Sequence, residues 1–194
     1  MKHKLIPLKN LARITPGYPF RGKINEVKNS GIFSIQMKDT FRDTGIEWSK
    51  CIETVLPGKR SPYWLQPSDI LFAARGNQNY AVQVGQGIAE RKAVASPHFF
   101  IVSNTKSEVA AEYLTFALNY GPCQSYFRRE AEGSLTKSIR RPILENAPIP
   151  LPSFEIQLSI VAIAKTVQQE RKLAEDLIQN GETLLHSLAN QFAK

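Results

Sequence analysis

The chain has 194 residues, of which 25 are lysine or arginine and 17 are aspartate or glutamate, giving a formal net charge of +8. Its hydrophobic content of 42% is ordinary for a folded globular protein. No apolar run approaches the roughly 20 residues that cross a bilayer, and the amino terminus lacks an uninterrupted apolar stretch. These features argue against an integral membrane protein and against a secretory signal.

The positive charge is distributed unevenly along the chain. Residues 1–150 contain 21 basic and 12 acidic side chains, whereas residues 151–194 contain 4 and 5. A basic region that precedes a nearly neutral one predicts that the first part contacts a polyanion and the second contacts protein. Cys51 and Cys123 lie far apart without a partner motif, so we expect a reducing cytoplasmic environment, structural cysteines, no metal and no cofactor.

The first hundred residues contain short segments rich in β-branched and aromatic residues, bounded by Gly, Pro, Asn or Asp. They predict strands at 31–37, 69–75, 81–89 and 98–103. Loops are expected at 56–62 and 75–80, where glycine and polar residues cluster.

Helical patterns follow. A helix is predicted over 105–121, where Thr105 stands three residues before Glu108 in a capping-box arrangement. A second helix is predicted from Pro122, a residue favoured in a first helical turn, to Gly133, a residue favoured after a last one. Residues 134–152 favour extended or mixed structure.

Three prolines then precede the last predicted helix. Pro148, Pro150 and Pro152 exclude helix and favour an extended backbone. Ser153 is suited to cap the helix that follows, and Glu155 is suited to its first turn. This arrangement predicts a rigid junction between a globular part and a projecting helix.

From residue 153 onward the apolar residues recur with the period of a helix. With Ile160 at heptad position a, the a, d and e positions form an apolar stripe sustained for more than four heptads, which Glu170 and Arg171 interrupt. A helix of this length is about 60 Å long, so a small domain cannot cover it. We expect it to pack on another helix, and we expect Asn180-Gly181 to be a weak point where it bends or ends.

The sequence therefore predicts an α+β protein. A mixed α/β globular domain over residues 1–152, which we call the head, precedes one long coiled-coil-forming helix over residues 153–194, which we call the arm. The predicted residues of a dimer or subunit interface on the arm are Ile160, Ile163, Val167, Ala174, Leu177, Ile178, Leu184, Leu185 and Leu188.

The junction carries a family resemblance. The segment "IPLPSFEIQLSIVAIAKTV" resembles the end of each target-recognition domain in specificity subunits of type I restriction-modification systems, where an I-P-L-P-P-L-E-E-Q run leads into a long helix. Ser153, Phe154 and Ile156 depart from that pattern. "LKNLARITPGYP", "SDILFAARGNQNYAV", "EYLTFALNYG", "EGSLTKSI" and "LLHSLANQF" are similar to further family segments in the same order.

The resemblance implies a non-catalytic subunit that binds double-stranded DNA. In the family it directs a methyltransferase (modification) subunit, and a restriction subunit in complete systems, to a bipartite target. Members usually carry two recognition domains and two antiparallel arms, whereas this chain has one of each and resembles a half-size form. Such a form implies either a homodimer with a palindromic, interrupted target or pairing with a different half-subunit.

Basic and amide side chains supply the candidate DNA contacts, because Lys and Arg bind phosphates while Arg, Asn and Gln read base edges. The loop "ARGNQNYA" concentrates such groups after a predicted strand, and other basic clusters flank it in sequence. The candidates are Arg21, Lys23, Lys59, Arg60, Arg75, Asn77, Gln78, Asn79, Tyr80, Arg128, Arg129, Lys137, Arg140 and Arg141.

Two alternatives stay open at this level. Asp69, Glu90 and Lys92 have the outline of a metal-dependent nuclease site, in which carboxylates hold a metal beside a lysine. A coiled-coil assembly adaptor without DNA binding would share the arm but would show no salt-dependent affinity for duplex DNA.

Overall fold

A computed structural model describes residues 4–58, 61–76, 78–131 and 137–192. The strands in the first half are β1 Leu5–Pro7, β2 Ala12–Pro16, β3 Ile32–Ile35, β4 Thr40–Phe41, β5 Gly45–Ile46, β6 Ile52–Glu53 and β7 Ile70–Ala73. Those in the second half are β8 Arg75–Gly76, β9 Ala81–Gln83, β10 Lys92–Ala95, β11 Phe99–Asn104, β12 Lys137–Ser138 and β13 Pro148–Pro150. The helices are α1 Ala111–Asn119, α2 Gly121–Glu130, α3 Arg141–Glu145 and α4 Phe154–Phe192.

A four-stranded antiparallel sheet, in the order β2-β11-β7-β9, forms the centre of the head. Its strand β7 has all four residues buried, because both faces of the sheet are covered. Ile70 and Phe72 point into a core shared with α1 and α2, whereas Leu71 and Ala73 point into a core on the opposite face. The alternation along one strand thus divides the head into two apolar layers.

The second layer contains a smaller mixed sheet, in which β10 pairs parallel with β3 and β3 pairs antiparallel with β6. On the helical side, the rings of Phe72 and Phe127 pack with centroids 4.9 Å apart, which attaches α2 to the central sheet. The predicted class of fold, a mixed α/β head followed by one long helix, is confirmed.

Several predicted boundaries are wrong in detail. The expected capping box does not form, because the Thr105 hydroxyl donates to the Leu11 carbonyl (3.0 Å) and α1 begins only at Ala111. The strand expected over 81–89 ends at Gln83 and gives way to a 3-10 turn. Strand β10 was not predicted at all. Pro122 does lie in the first turn of α2, as expected.

The proline run is a strand of the head. Strand β13 pairs antiparallel with β1, with Ile149 opposite Ile6. The Tyr113 hydroxyl donates to the Pro150 carbonyl (2.6 Å), and the Cys123 thiol donates to the Pro148 carbonyl (3.2 Å). Although prolines cannot donate backbone hydrogen bonds, their carbonyls are therefore held by α1 and α2.

One buried glutamine joins the arm to the head. Gln157, in the first turn of α4, is fully buried. Its Oε1 accepts the backbone N–H of Ala110 (3.0 Å), and its Nε2 donates to the carbonyls of Glu108 (2.9 Å) and Pro152 (3.1 Å). Ala110 is the N-cap of α1, so the arm side chain satisfies a donor that the helix itself cannot satisfy.

Further contacts extend along the first turns of the arm. Val161 is buried in the helical core layer, and Ile160 packs against it while half-buried. About three turns later, Arg171 forms an ion pair with Asp43 of the β4–β5 turn (2.8 Å). The packing of the head thus continues past residue 152 into the arm.

The arm is one unbroken helix of 39 residues. The expectation that Asn180-Gly181 bends or ends it is wrong, since the helix runs through Gly181 to Phe192. A single glycine in a helix costs about 1 kcal/mol relative to alanine, which good helix formers nearby, such as Glu182, Leu184 and Leu185, offset.

We predict that Gln157→Ala lowers the free energy of unfolding by about 2–4 kcal/mol, because one N–H and two carbonyls lose a buried partner. Urea denaturation at fixed protein concentration measures this loss. Gln169→Ala, on an exposed turn of the same helix, is the control and should change stability by less than about 0.5 kcal/mol. Equal midpoints for the two variants would contradict the assigned role of Gln157.

Candidate nucleic-acid interface

The loop 75–80 is closed at its base by Ala73, the last residue of β7. The Ala73 N–H donates to the Tyr80 carbonyl (2.8 Å), and the Asn79 side chain donates to the Ala73 carbonyl (3.0 Å). Asn79 is buried, with 8% of its surface exposed. Its amide is therefore used to close the loop and is not displayed on the surface.

A glycine permits the turn at the start of this loop. Gly76 has φ +127°, a conformation that side chains rarely adopt. A Cβ built there would also lie 2.9 Å from Cε of Met37. The backbone angle therefore favours glycine next to Arg75, whereas the end of the flexible Met37 side chain could shift to admit a Cβ.

Tyr80 joins the loop to the β4–β5 hairpin. Its hydroxyl lies 2.8 Å from the Thr40 hydroxyl and donates to the Thr40 carbonyl (3.1 Å). This ring is half-buried, so Tyr80 supports the loop from behind.

Helices α1 and α2 hold the other side of the loop. The Gln124 amide donates to the carbonyls of Asn79 (3.1 Å) and Leu118 (2.8 Å). Asn119, at the end of α1, accepts from the N–H of Ala81 and donates to its carbonyl, each at 2.8 Å. Buried amides thus fix the loop at both ends before any ligand binds.

What the loop presents to solvent is basic and polar. Arg75 and Gln78 are exposed, and Gln78 lines a cavity of about 320 Å³ together with Arg42, Gln124 and Arg128. The described residues that line this cavity include two arginines and no carboxylate. Such a surface attracts phosphate groups and offers amide and guanidinium groups to base edges.

The structure brings a second predicted cluster to the same place. Strand β8 pairs with β12, with Arg75 opposite Ser138 and Gly76 opposite Lys137. The Ile139 N–H donates to the Ala74 carbonyl (2.8 Å), which places exposed Arg140 and Arg141 next to this pair in the chain. Segments about 60 residues apart in sequence therefore form one basic surface.

Several of the predicted basic residues also have intramolecular partners. The Arg128 guanidinium donates to the Ser125 hydroxyl (3.1 Å). Arg129 pairs with Glu130 (2.9 Å), and Arg141 pairs with Glu145 (2.7 Å). All three side chains remain exposed, and surface pairs of this kind are weak enough to rearrange when a phosphate approaches.

Arg21 and Lys23 lie in a different loop. They are exposed and follow Tyr18, whose hydroxyl donates to the Pro57 carbonyl (2.9 Å). This loop therefore adjoins the segment that leads to Lys59 and Arg60. Lys59, Arg60 and Asn77 themselves lie outside the described residues.

Sequence reasoning missed Arg42 and Gln124. The Arg42 guanidinium donates to the Asn119 carbonyl (3.0 Å) and lies 4.4 Å from the centre of the Tyr120 ring, at the edge of the cavity beside Gln78. No local motif marks either residue, because each reaches the loop only through the tertiary fold.

The nuclease hypothesis loses its central carboxylate. Asp69 is buried, and one oxygen accepts from the Ser103 hydroxyl (2.7 Å) and the Tyr63 hydroxyl (3.2 Å). Its other oxygen accepts from the Gln66 N–H (2.8 Å). Asp69 thus fixes the start of β7, whereas Glu90 and Lys92 are exposed at a different sheet.

Neither cysteine has the character of a reactive nucleophile. Burial raises the pKa of the Cys123 thiol to about 12, and burial together with nearby Asp39 raises the pKa of Cys51 to about 12. Within residues 4–58, 61–76, 78–131 and 137–192, no group of three or more His, Cys, Asp or Glu side chains is placed to hold a metal ion. The same ranges contain no helix apolar enough to cross a membrane.

The predicted interface residues form a second surface along the arm. Ile160 is half-buried against the head, and the others face solvent, with Leu177 74% and Leu185 68% exposed. An isolated chain would leave this apolar stripe in water over most of the helix.

Comparison with known proteins identifies the fold. No family model matches the sequence, and no curated protein does. The HsdS subunit of Thermoanaerobacter tengcongensis has a similar structure, with a TM-score of 0.60 and 19% identity over 86% of this chain and 37% of its own. The S subunit of the type I restriction-modification system of M. genitalium gives 0.55 and 14%, over 92% and 41%.

A chain from a structure addressing assembly and conformational transition of the type I R-M system gives a TM-score of 0.64 and 18% identity. The match covers 95% of this chain and 43% of that one. The fold is therefore that of specificity subunits of type I restriction-modification systems. This chain spans about two-fifths of the length of those chains.

We predict that Asn79→Ala lowers the free energy of unfolding by about 1–2 kcal/mol, because the Ala73 carbonyl loses its buried donor. Gln78→Ala, at the exposed neighbouring position, should change it by less than about 0.5 kcal/mol. Chemical denaturation of the two variants makes the comparison. A larger loss for Gln78→Ala would show that the loop is supported differently.

Proposed function

We propose that this protein is a non-catalytic DNA-recognition half-subunit. The head would bind double-stranded DNA sequence-specifically, and the arm would pair two half-subunits and dock a methyltransferase subunit, with a restriction subunit where a system has one. The observation that carries the proposal is the loop 75–80, which buried amides fix while Arg75 and Gln78 face solvent.

Preorganisation of the loop supports base readout over a merely solvated basic surface. Because Asn79 is already held by Ala73 and Gln124, ordering this end of the loop on DNA would require little further loss of conformational entropy. Arginine and glutamine can each make paired hydrogen bonds to one base, with guanine and adenine respectively. Arg128, Lys137, Arg140 and Arg141 would supply phosphate contacts around the loop.

Arg21 and Lys23, with Lys59 and Arg60, would form a second group of phosphate contacts. Exposed basic residues in a separate loop are suited to the DNA backbone, which a bound duplex presents over a larger surface than its base edges. Since each neutralised phosphate releases counterions, binding should weaken steeply with salt.

The arm supports pairing of two copies. Its exposed stripe has the composition of a coiled-coil seam, and a homodimer covers it without requiring another gene product. Two identical heads related by a two-fold axis would read two inverted half-sites, so the expected target is palindromic and interrupted. A function on chromosomal DNA places the protein in the cytoplasm.

We predict that the affinity for duplex DNA falls steeply as salt rises and that Arg75→Ala lowers it by roughly 5- to 100-fold. Fluorescence anisotropy with random-sequence duplexes, followed by a duplex selected for tight binding, measures both effects. Lys92→Ala removes one exposed positive charge from the other sheet and should change affinity less than about threefold.

Two results would contradict the DNA-binding proposal. A lack of duplex binding even at low salt would favour an assembly adaptor whose head does not contact DNA. Cleavage of the duplex on addition of Mg²⁺ or Mn²⁺, abolished by Lys92→Ala, would favour the nuclease alternative.

We predict that the purified chain is a dimer by light scattering and that Leu184→Glu/Leu185→Glu is a monomer, because four charges would enter the apolar seam of each dimer. The matched control Gln169→Glu/Gln179→Glu adds the same charge at exposed c and f positions, outside the stripe, and should remain dimeric. A wild-type monomer at all concentrations would exclude the homodimer and leave a different half-subunit as the partner.

A further inference from the structure

The apolar stripe of the arm contains one charged interruption. Glu170 occupies a d position and Arg171 the adjacent e position, in the middle of a seam that is otherwise Ile, Val, Leu, Ala and Gly between residues 160 and 188. Arg171 already contacts Asp43 of the head at 2.8 Å, and a guanidinium has donors left for a second carboxylate. Charges inside a coiled-coil seam specify which register the helices adopt.

Two antiparallel arms are the arrangement that the family resemblance implies, and we propose its register here: the two-fold axis of the homodimer passes between residues 170 and 171. The residue numbers of two facing positions, one from each arm, then add up to 341. This register rests on the proposed homodimer. It specifies which residues of the two arms face each other.

Charge selects this arrangement over a parallel one. In the proposed register Glu170 faces the partner's Arg171, and the two-fold axis repeats the pair, so both interruptions of the seam are neutralised. Each Arg171 then bridges Asp43 of its own head and the partner's Glu170. A parallel pair in register would place Glu170 against Glu170 and Arg171 against Arg171, which is unfavourable in a desolvated seam.

The sizes of the facing residues fit the same register. Each small residue of the stripe faces a larger one, as close packing between helices requires. The pairs are Ile160 with Gly181, Ala164 with Leu177, and Val167 with Ala174. The same glycine that was expected to weaken the helix therefore provides room for Ile160 of the other copy.

The nearest alternative register is poorer. An axis through Ala174 also pairs the stripe antiparallel, but it places Glu170 against Ile178 and Arg171 against Leu177. Both charges would lose water without gaining a partner, and Ala174 would face Ala174 with no side chain to fill the space.

A groove beside the arm fits the proposed occupant. Phe116 and Tyr120 of the head, with Ile163, Ala164 and Val167 of the arm, line an apolar cavity of about 380 Å³ that opens to solvent. The partner's Leu177 would face Ala164, the smallest of these residues, and would enter this cavity. Leu177 is 74% exposed in the single chain. Its entry into the cavity would bury both this leucine and the apolar lining of the groove.

The register also sets how far apart the heads are attached. Gln157 anchors each head to its arm, and residue 157 faces residue 184 of the other copy. The two anchors are therefore separated by about 40 Å along the paired helices. That separation is comparable to one turn of B-form DNA, about 34 Å.

Cysteine cross-linking tests the register. Ile163 faces the partner's Ile178, so Ile163→Cys/Ile178→Cys should form a disulfide-linked dimer on mild oxidation, whereas neither single variant should. The two positions lie too far apart on one helix to bond within a chain. The unmodified chain under the same oxidant is the background control, since it retains half-buried Cys51 and buried Cys123, whose thiol pKa values are both raised.

The outcomes separate the register from the proposed function. A dimer by light scattering that links through Ile163→Cys/Leu185→Cys, or through Ile163→Cys alone, would overturn this register and leave the homodimer intact. A chain that is monomeric throughout would overturn both. Salt-dependent DNA binding is measured separately. It tests the proposed function of the head and does not decide the register of the arms.

A charge substitution provides a second test. Glu170→Arg places two arginines together across the axis and should weaken dimerisation at least about tenfold in sedimentation equilibrium. Glu175→Arg makes the same change of charge at a b position, outside the stripe, and should alter dimerisation less than about threefold. Equal effects of the two substitutions would contradict the pairing of Glu170 with Arg171.

Discussion

The architecture depends on the buried contact between Gln157 of the arm and the start of α1. A polar side chain without solvent must satisfy its donors and its acceptor, and Gln157 does so only when Ala110, Glu108 and Pro152 hold the observed positions. The contact therefore selects one orientation of the arm, where apolar packing alone would accept several. The β1–β13 pairing adds a second constraint on the same junction.

Helix α1 transmits this constraint to the loop 75–80. Gln157 fixes the beginning of α1, while Asn119 at its end and Gln124 in α2 fix Ala81 and Asn79 of the loop. One rigid element thus relates the direction of the arm to the position of Arg75 and Gln78. A bipartite reader needs this relation, because the spacing of its half-sites is meaningful only if each head is held rigidly on its arm.

Part of the fold and of the candidate site could be predicted from the sequence, and the reason for each success or failure is physical. The arm, the proline junction and the loop 75–80 follow from periodicity and from the conformational limits of Pro and Gly, which are local properties. Strand β10 and the roles of Arg42, Gln124 and Asn79 depend on contacts between distant segments. The sequence presented Asn79 as one polar residue among several, and only its burial beneath the loop shows that it supports the backbone.

The most direct measurement is selection of bound duplexes from a random-sequence pool by the purified protein, followed by sequencing. We predict enrichment of two identical inverted half-sites separated by a spacer of fixed length and unspecified sequence, with the enrichment lost in Arg75→Ala/Gln78→Ala. A selected pool that remains random, or one with a single uninterrupted site unaffected by that double substitution, would contradict it.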